Sequence, residues 1–98
     1  MTLRVDPEKT EVRALKEMAE WRGRHVLEIG CGNGRLTKRL ANLGAKVEAL
    51  DPDKTMITLA RKDLPARYSD RVKFKVGSTE SLKYPEKTFD IVIFAWSL

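Results

Sequence analysis

The run Glu28-Ile29-Gly30-Cys31-Gly32-Asn33-Gly34 sets a carboxylate two residues ahead of three glycines that occupy alternate positions. Glycines so spaced let the backbone come close to a ligand, and a helix beginning directly after them offers unpaired N–H groups. An acid at the mouth of such a bend suits a ligand with an ammonium or hydroxyl groups better than a pyrophosphate. A second carboxylate, Asp51, follows Gly30 by about 20 residues, the separation at which an acid closing the next strand accepts hydrogen bonds from a ribose diol. Together the two acids and the bend describe a nucleoside pocket. The dinucleotide fingerprint G-x-G-x-x-G/A needs a small third residue for close helix packing, and counting from Gly30 that position is Arg35, which disfavours a standard nicotinamide or flavin site.

Other chemistries find little support. Cys31 is the only cysteine and His25 the only histidine, so neither a metal set nor a redox pair can be assembled, and no Ser-His-Asp or Cys-His arrangement is present. Metal ligation is not expected, and no catalytic residue is assigned. Plainer roles stand beside the site readings: Cys31 as a small buried turn residue, His25 as a structural or solvated residue where a strand begins, Glu28 as a carboxylate bonded to backbone N–H groups, and Asp51 as a helix cap. Met56, Leu59 and Leu64 read more readily as core than as pocket. Phe94 and Trp96 either line a cleft at the strand end or form an apolar interface. Tyr68 and Tyr84 carry no signal.

The elements that must position these residues follow from periodicity. Asp6-Pro7-Glu8 reads as a cap, a first-turn proline and an acid, and Val12, Leu15, Met18 and Ala19 continue at helical spacing, predicting a helix over about 7–21. His25 to Ile29 is a short apolar strand. The glycine bend follows it, and Leu36, Leu40 and Leu43 form a helical stripe that stops at Gly44. Lys46 to Leu50 is a second strand; Asp51-Pro52-Asp53 turns it into a helix carrying Met56, Leu59, Ala60 and Leu64 and ending near Pro65. This βαβα alternation predicts a parallel sheet with helices on its faces. Arg71 to Val76 alternates charged and apolar residues, as a sheet-edge strand does. Ile91 to Trp96 does not alternate, the pattern of a central strand buried on both faces. Because the sequence stops at Leu98, whatever should cover that strand is expected to be missing.

Composition agrees with one globular unit. Apolar residues make up 42% and charged residues 34% of 98 residues, interleaved without repeats, linkers or low-complexity tracts, which suffices for one core and not two. The longest apolar run falls far short of the roughly 20 residues needed to cross a bilayer. The N-terminus lacks the apolar stretch of a secretory signal, and a lone cysteine makes no internal disulfide, so a cytoplasmic location is expected. The net charge of +5 and pI of about 9.6 come from dispersed basic residues, a solvated surface more than a nucleic-acid footprint.

From about Trp21 to Leu98 the chain resembles the class I S-adenosylmethionine-dependent methyltransferases of the small-molecule type, which begin V-L-E-I-G-C-G-x-G. His25 to Thr37 looks like the first family motif, Val47 to Ile57 like the second, Val76 to Leu82 like the segment beside the adenine, and Phe89 to Leu98 like the fourth strand, in family order and spacing. The resemblance implies a Rossmann-like α/β fold with an open parallel sheet. Of the family's strand order 3-2-1-4-5-7-6 this chain would hold 3-2-1-4, truncated after the fourth strand. It would then be a single partial domain over 1–98, a leading helix at 7–21 and a cofactor-binding half at 22–98.

The same resemblance implies S-adenosylmethionine as cofactor and S-adenosylhomocysteine as product. Gly30, Gly32 and Asn33 would line the methionine part, with Cys31 and Gly34 in the same bend and Glu28 near the amino group. Asp51 would hold the ribose hydroxyls, Pro52 and Met56 would pack on the adenine, and Phe94 is counted with the cofactor-binding residues. Many members have an acid after the glycine corresponding to Gly77; here Ser78 stands there, followed by Thr79 and Glu80, as the adenine contacts. The expected function is the cofactor-binding portion of a methyltransferase acting on a small-molecule acceptor. The alternative is a non-enzymatic or inactive domain that self-associates through an open strand at 91–96.

Overall fold

A computed structural model describes residues 1–6, 10–78 and 88–95. In chain order the elements are β1 (Thr2–Val5), α1 (Val12–Met18), β2 (His25–Ile29), α2 (Arg35–Asn42), β3 (Lys46–Asp51), α3 (Lys54–Asp63), a single 3-10 turn (Ala66–Tyr68), β4 (Val72–Val76) and β5 (Ile91–Ala95). The strands form one parallel sheet in the order β1-β5-β2-β3-β4. The four expected strands thus lie as 3-2-1-4, and a fifth, unexpected strand is added beyond them.

Alternation along the strands divides the sheet into two unlike faces. Val5, Ile93, Val26, Val47, Ala49, Val72 and Phe74 point to one side, where Leu15 of α1, Leu36, Leu40 and Ala41 of α2, and Ile57 and Ala60 of α3 complete a buried core. All three described helices pack on this side, flanking the parallel sheet as the βαβα pattern predicts. The strand over Ile91–Ala95 shows the consequence. Ile91 and Ile93 are buried, Val92 is half-buried, and Phe94 on the opposite face is 36% exposed. Burial on both faces therefore does not hold for this strand, and Trp96 lies outside the described residues.

The N-terminus departs furthest from expectation. In place of a helix over 7–21, α1 covers only Val12–Met18, and Ala19 is already extended at φ −166° and ψ 164°. Pro7 and Glu8, the expected helix start, lie outside the described residues. Trp21 is buried beyond the helix end and its indole Nε1 donates to the carbonyl of Leu15 at 2.7 Å, which answers one of the unpaired C-terminal carbonyls. Thr2–Val5 forms β1 against β5, with Leu3 opposite Ile93 and Arg4 opposite Phe94. The amide of Val92 donates to the carbonyl of Met1 at 2.8 Å, and the N-terminal ammonium donates to the carbonyl of Asp90 at 3.2 Å. The edge of β5 expected to stand open is thus paired by this chain's own first residues, since an apolar strand edge with free backbone groups takes the nearest segment able to satisfy them.

Expected core positions hold in part. Leu36 and Leu40 are fully buried, whereas Leu59 is 40% exposed and Ile57 and Ala60 carry the buried face of α3. Tyr68, unremarkable in the sequence, is buried; its hydroxyl donates to Asn42 at 2.7 Å and its ring lies under the guanidinium groups of Arg67 and Arg71.

Candidate functional site

The glycine bend hangs from the end of β3. The amides of Gly30 and Cys31 both donate to the carbonyl of Leu50, at 2.8 and 2.9 Å, and the amide of Gly34 closes the turn onto the carbonyl of Cys31 at 3.0 Å. The three glycines serve three different purposes, although all have positive φ. At Gly30 a Cβ would lie 2.8 Å from the carbonyl oxygen of Ala95, so no side chain fits between β2 and β5. At Gly34 a Cβ would press on the Phe74 ring at 3.1 Å and on Ala60 at 3.2 Å, the close contact that seats α2 and α3 on the sheet. At Gly32 a Cβ would meet nothing within 4 Å. The bend is open there, on the side a ligand would use.

Asp51 ties the bend to the next turn. One carboxylate oxygen accepts from the amide of Gly32 at 2.9 Å and the other from the amide of Asp53 at 2.8 Å. The cap of α3 is instead Asp53, which accepts from the amide of Thr55 at 2.8 Å. Asp51 is therefore a cross-link between the glycine bend and the turn that leads into α3. Each of its oxygens has a second lone pair, so ribose hydroxyls can still be accepted while the backbone contacts persist.

Glu28 is fully buried at the base of the bend. Its Oε1 accepts from the hydroxyl of Thr37 at 2.5 Å, and its Oε2 is buried with no hydrogen-bond partner among the described residues. Burial pushes the carboxyl up from 4.5 to about 8, against the lowering effect of the Thr37 hydroxyl, and the charge of Asp51 adds to the rise. Thr37 was not singled out in the sequence; its hydroxyl lies nine positions after Glu28, where the first helical turns pass over the strand end. Cys31 is buried, its thiol raised by burial and by the two nearby carboxylates, and its Sγ–H donates to the carbonyl of Gly32 at 3.7 Å. It has turn-residue character and no nucleophilic character.

The remaining predicted residues are distributed around this centre. Asn33 and Pro52 are exposed, and Met56 and Ser78 are half-buried. The amide of Gly77 donates to the carbonyl of Asp51 at 3.0 Å, which sets Ser78 next to the end of β3. Thr79 and Glu80 lie outside the described residues. Phe94 lines a cleft of about 400 Å³ with Arg4, Ile29, Gly30 and Ala95, at the carboxyl ends of β1, β5 and β2. This is where open α/β sheets bind ligands. Arg4 was not anticipated there, because β1 was not. No cluster of three or more potential metal ligands occurs among the described residues.

An open parallel sheet, a glycine bend after its central strand and an acid closing the neighbouring strand form the arrangement in which open α/β sheets hold their ligands. Residues 26–98 match the model of the methyltransferase domain family, and the chain belongs to that family. It is 39% identical over 72 residues to a mitochondrial ubiquinone biosynthesis O-methyltransferase of Schizosaccharomyces pombe, a match that covers 71% of this chain and 26% of that protein. It is 32% identical over 80 residues to a demethylmenaquinone methyltransferase of Symbiobacterium thermophilum, covering 78% and 32%. Among solved structures, an S-adenosylmethionine-dependent methyltransferase from Mesorhizobium loti superposes with a TM-score of 0.74 at 25% identity, over 90% of this chain and 40% of that one. A magnesium protoporphyrin IX methyltransferase from Synechocystis with bound S-adenosylmethionine gives 0.70 at 27% identity, over 85% and 39%. The chain thus spans about a quarter to a third of the curated relatives it matches.

Proposed function

We propose that this chain is the S-adenosylmethionine-binding portion of a methyltransferase whose acceptor is a small molecule. The observation that carries the reading is the joint geometry of the bend: Asp51 holds Gly32, a Cβ at Gly32 would meet open space, and one oxygen of Glu28, two residues before Gly30, is buried with no hydrogen-bond partner among the described residues. An orphaned carboxylate oxygen and a cradle lined by backbone amides fit a ligand that bears both an ammonium and a ribose. In this reading Gly30, Cys31, Gly32, Asn33 and Gly34 form the cradle, Glu28 faces the amino group, and Asp51 takes the ribose hydroxyls. Pro52, Met56, Ser78, Thr79 and Glu80 surround the adenine, and Phe94 sits toward the acceptor.

When bound, the cofactor would supply an electrophilic methyl carbon on a sulfonium, with the neutral thioether as the leaving group. What this chain's residues contribute is placement and exclusion of water, which is most of what such a transfer requires. The quinone-biosynthesis names among the relatives support a small-molecule acceptor. No described helix is long and apolar enough to cross a membrane, and a lone buried cysteine suits a reducing, cytoplasmic setting. Self-association through an open fourth strand loses its premise, because β1 occupies that edge.

Calorimetry with S-adenosylhomocysteine tests the reading. The parent chain is expected to bind, and Asp51→Ala to bind at least about tenfold more weakly, as befits loss of hydrogen bonds to a charged acceptor. Asp51→Asn, which keeps one acceptor oxygen, is expected to fall between them. Equal binding by all three would remove Asp51 from the site.

A further inference from the structure

Glu28 has an environment suited to a neutral acid. Its neighbours across the sheet are Ala49 on β3 and Ile93 on β5, both apolar and fully buried. From α2 it receives only the Thr37 hydroxyl; Arg35 on that helix is exposed, and Arg39 donates to the carbonyl of Thr10 at 2.6 Å. From the bend it faces the Cys31 thiol, and from the end of β3 the charge of Asp51, which repels a second negative charge. No cation among these groups favours ionisation of Glu28, and a buried ion without a partner is strongly disfavoured.

We propose that Glu28 exchanges a proton with solvent as the ligand enters: a neutral carboxylic acid in the empty site, a carboxylate when the ammonium of an amino-acid-bearing nucleoside lies against its unpartnered oxygen. The inference rests on the cofactor reading above and adds to it a proton that leaves on binding. The carboxyl O–H bond breaks, the proton passes to water, and the electron pair stays on the oxygen that meets the ammonium. Thr37 keeps its bond to the other oxygen in both states and so fixes which oxygen is offered. Asp51, the same charge that opposes ionisation in the empty site, is met by ribose hydroxyls when the ligand is bound. Affinity is therefore expected to rise with pH, by up to about tenfold per unit, while the empty site still holds its proton. The rise flattens above the range where Glu28 ionises unaided, about 8.

The experiment is calorimetry of S-adenosylhomocysteine binding between pH 6 and 8, repeated in phosphate and in imidazole, whose different ionisation heats report the protons released. The parent is expected to release close to one proton at pH 6 to 7 and fewer at pH 8. Glu28→Gln, neutral at every pH, is expected to bind without release. A second ligand makes the result independent of how that variant folds: 5′-methylthioadenosine has the adenine, ribose and thioether but no ammonium, and is expected to bind the parent without proton release. Binding of S-adenosylhomocysteine with no release, release that persists in Glu28→Gln, or equal release with both ligands overturns the proposal and leaves the cofactor reading standing. Failure of both nucleosides to bind overturns the cofactor reading and this inference with it.

Discussion

Gly30 and Gly32 have similar backbone conformations and very different surroundings, and the difference sets what a methyl group would do at each. Both have positive φ, at +81° and +54°, which any L residue adopts at a penalty of about 1–2 kcal/mol. Only Gly30 adds a collision, with the carbonyl oxygen of Ala95 at 2.8 Å. Gly32→Ala is therefore expected to lower stability by about 1 kcal/mol in urea unfolding, and Gly30→Ala by about 3 kcal/mol or more. Similar losses at the two positions would show that β5 yields easily to the bend.

Glu28 sets a pH dependence of the same scale. Its carboxyl is raised in the folded chain, so the folded state holds a proton that the unfolded state gives up near 4.5. The stabilisation is fully present below that value, declines as pH rises, and is lost as pH passes through about 8. The melting temperature without ligand is expected to fall between pH 5 and pH 8, and Glu28→Gln to flatten that slope and melt higher than the parent at pH 8. An unchanged slope in the variant would place the dependence on other groups.

At the scale of elements, β1 decides what kind of surface the sheet presents. It is four residues long, yet Val5 is 1% exposed and Leu3 packs on the core opposite Ile93. Removing residues 1–6 would bare an apolar strand with free backbone groups, the usual template for intermolecular pairing. The shortened chain is expected to self-associate in sedimentation at concentrations where the parent does not, and the Val92 amide, bonded to Met1 in the parent, to exchange its hydrogen faster. If the Val92 amide exchanges equally fast in both, β1 is not a stable strand in solution. Val5→Ala, a smaller perturbation of the same contact, is expected to be destabilising by about 2 kcal/mol.

At the scale of the whole molecule, the described helices form one layer on one face of the described five-stranded sheet, and the candidate site gathers at the carboxyl ends of its strands. The bend, Asp51 and the end of β5 are held by backbone bonds between elements far apart in sequence, so a ligand filling the bend should stabilise the domain as a unit. At a concentration 100 times its dissociation constant, S-adenosylhomocysteine is expected to add about 2.7 kcal/mol, a rise of roughly 10–20 °C in melting temperature for a domain of this size. NADH, for which Arg35 stands in the wrong place, is expected to produce no comparable shift.

The chemistry of the bend was legible because it is local. Glu28, three glycines and the following helix stripe lie within one short stretch, and Asp51 ends the next apolar run, so periodicity alone orders β2, α2, β3 and α3. The amide bonds of Asp51 to Gly32 and Asp53 and the Thr37 hydroxyl on Glu28 were not, because each depends on how a helix crosses a strand. The least legible part was the N-terminus. Thr2–Val5 is too short for its alternation to signal a strand, and the free energy that makes it one comes from β5, almost the whole chain away. Sequence by itself determined the order of the strands and α-helices from β2 onward and the residue types at the turns, since those follow from spacing along the chain. Only the tertiary structure decided which edge is covered, which glycine is crowded, and which carboxylate oxygen lacks a partner among the described residues, since those depend on backbone and side chains brought together from distant positions.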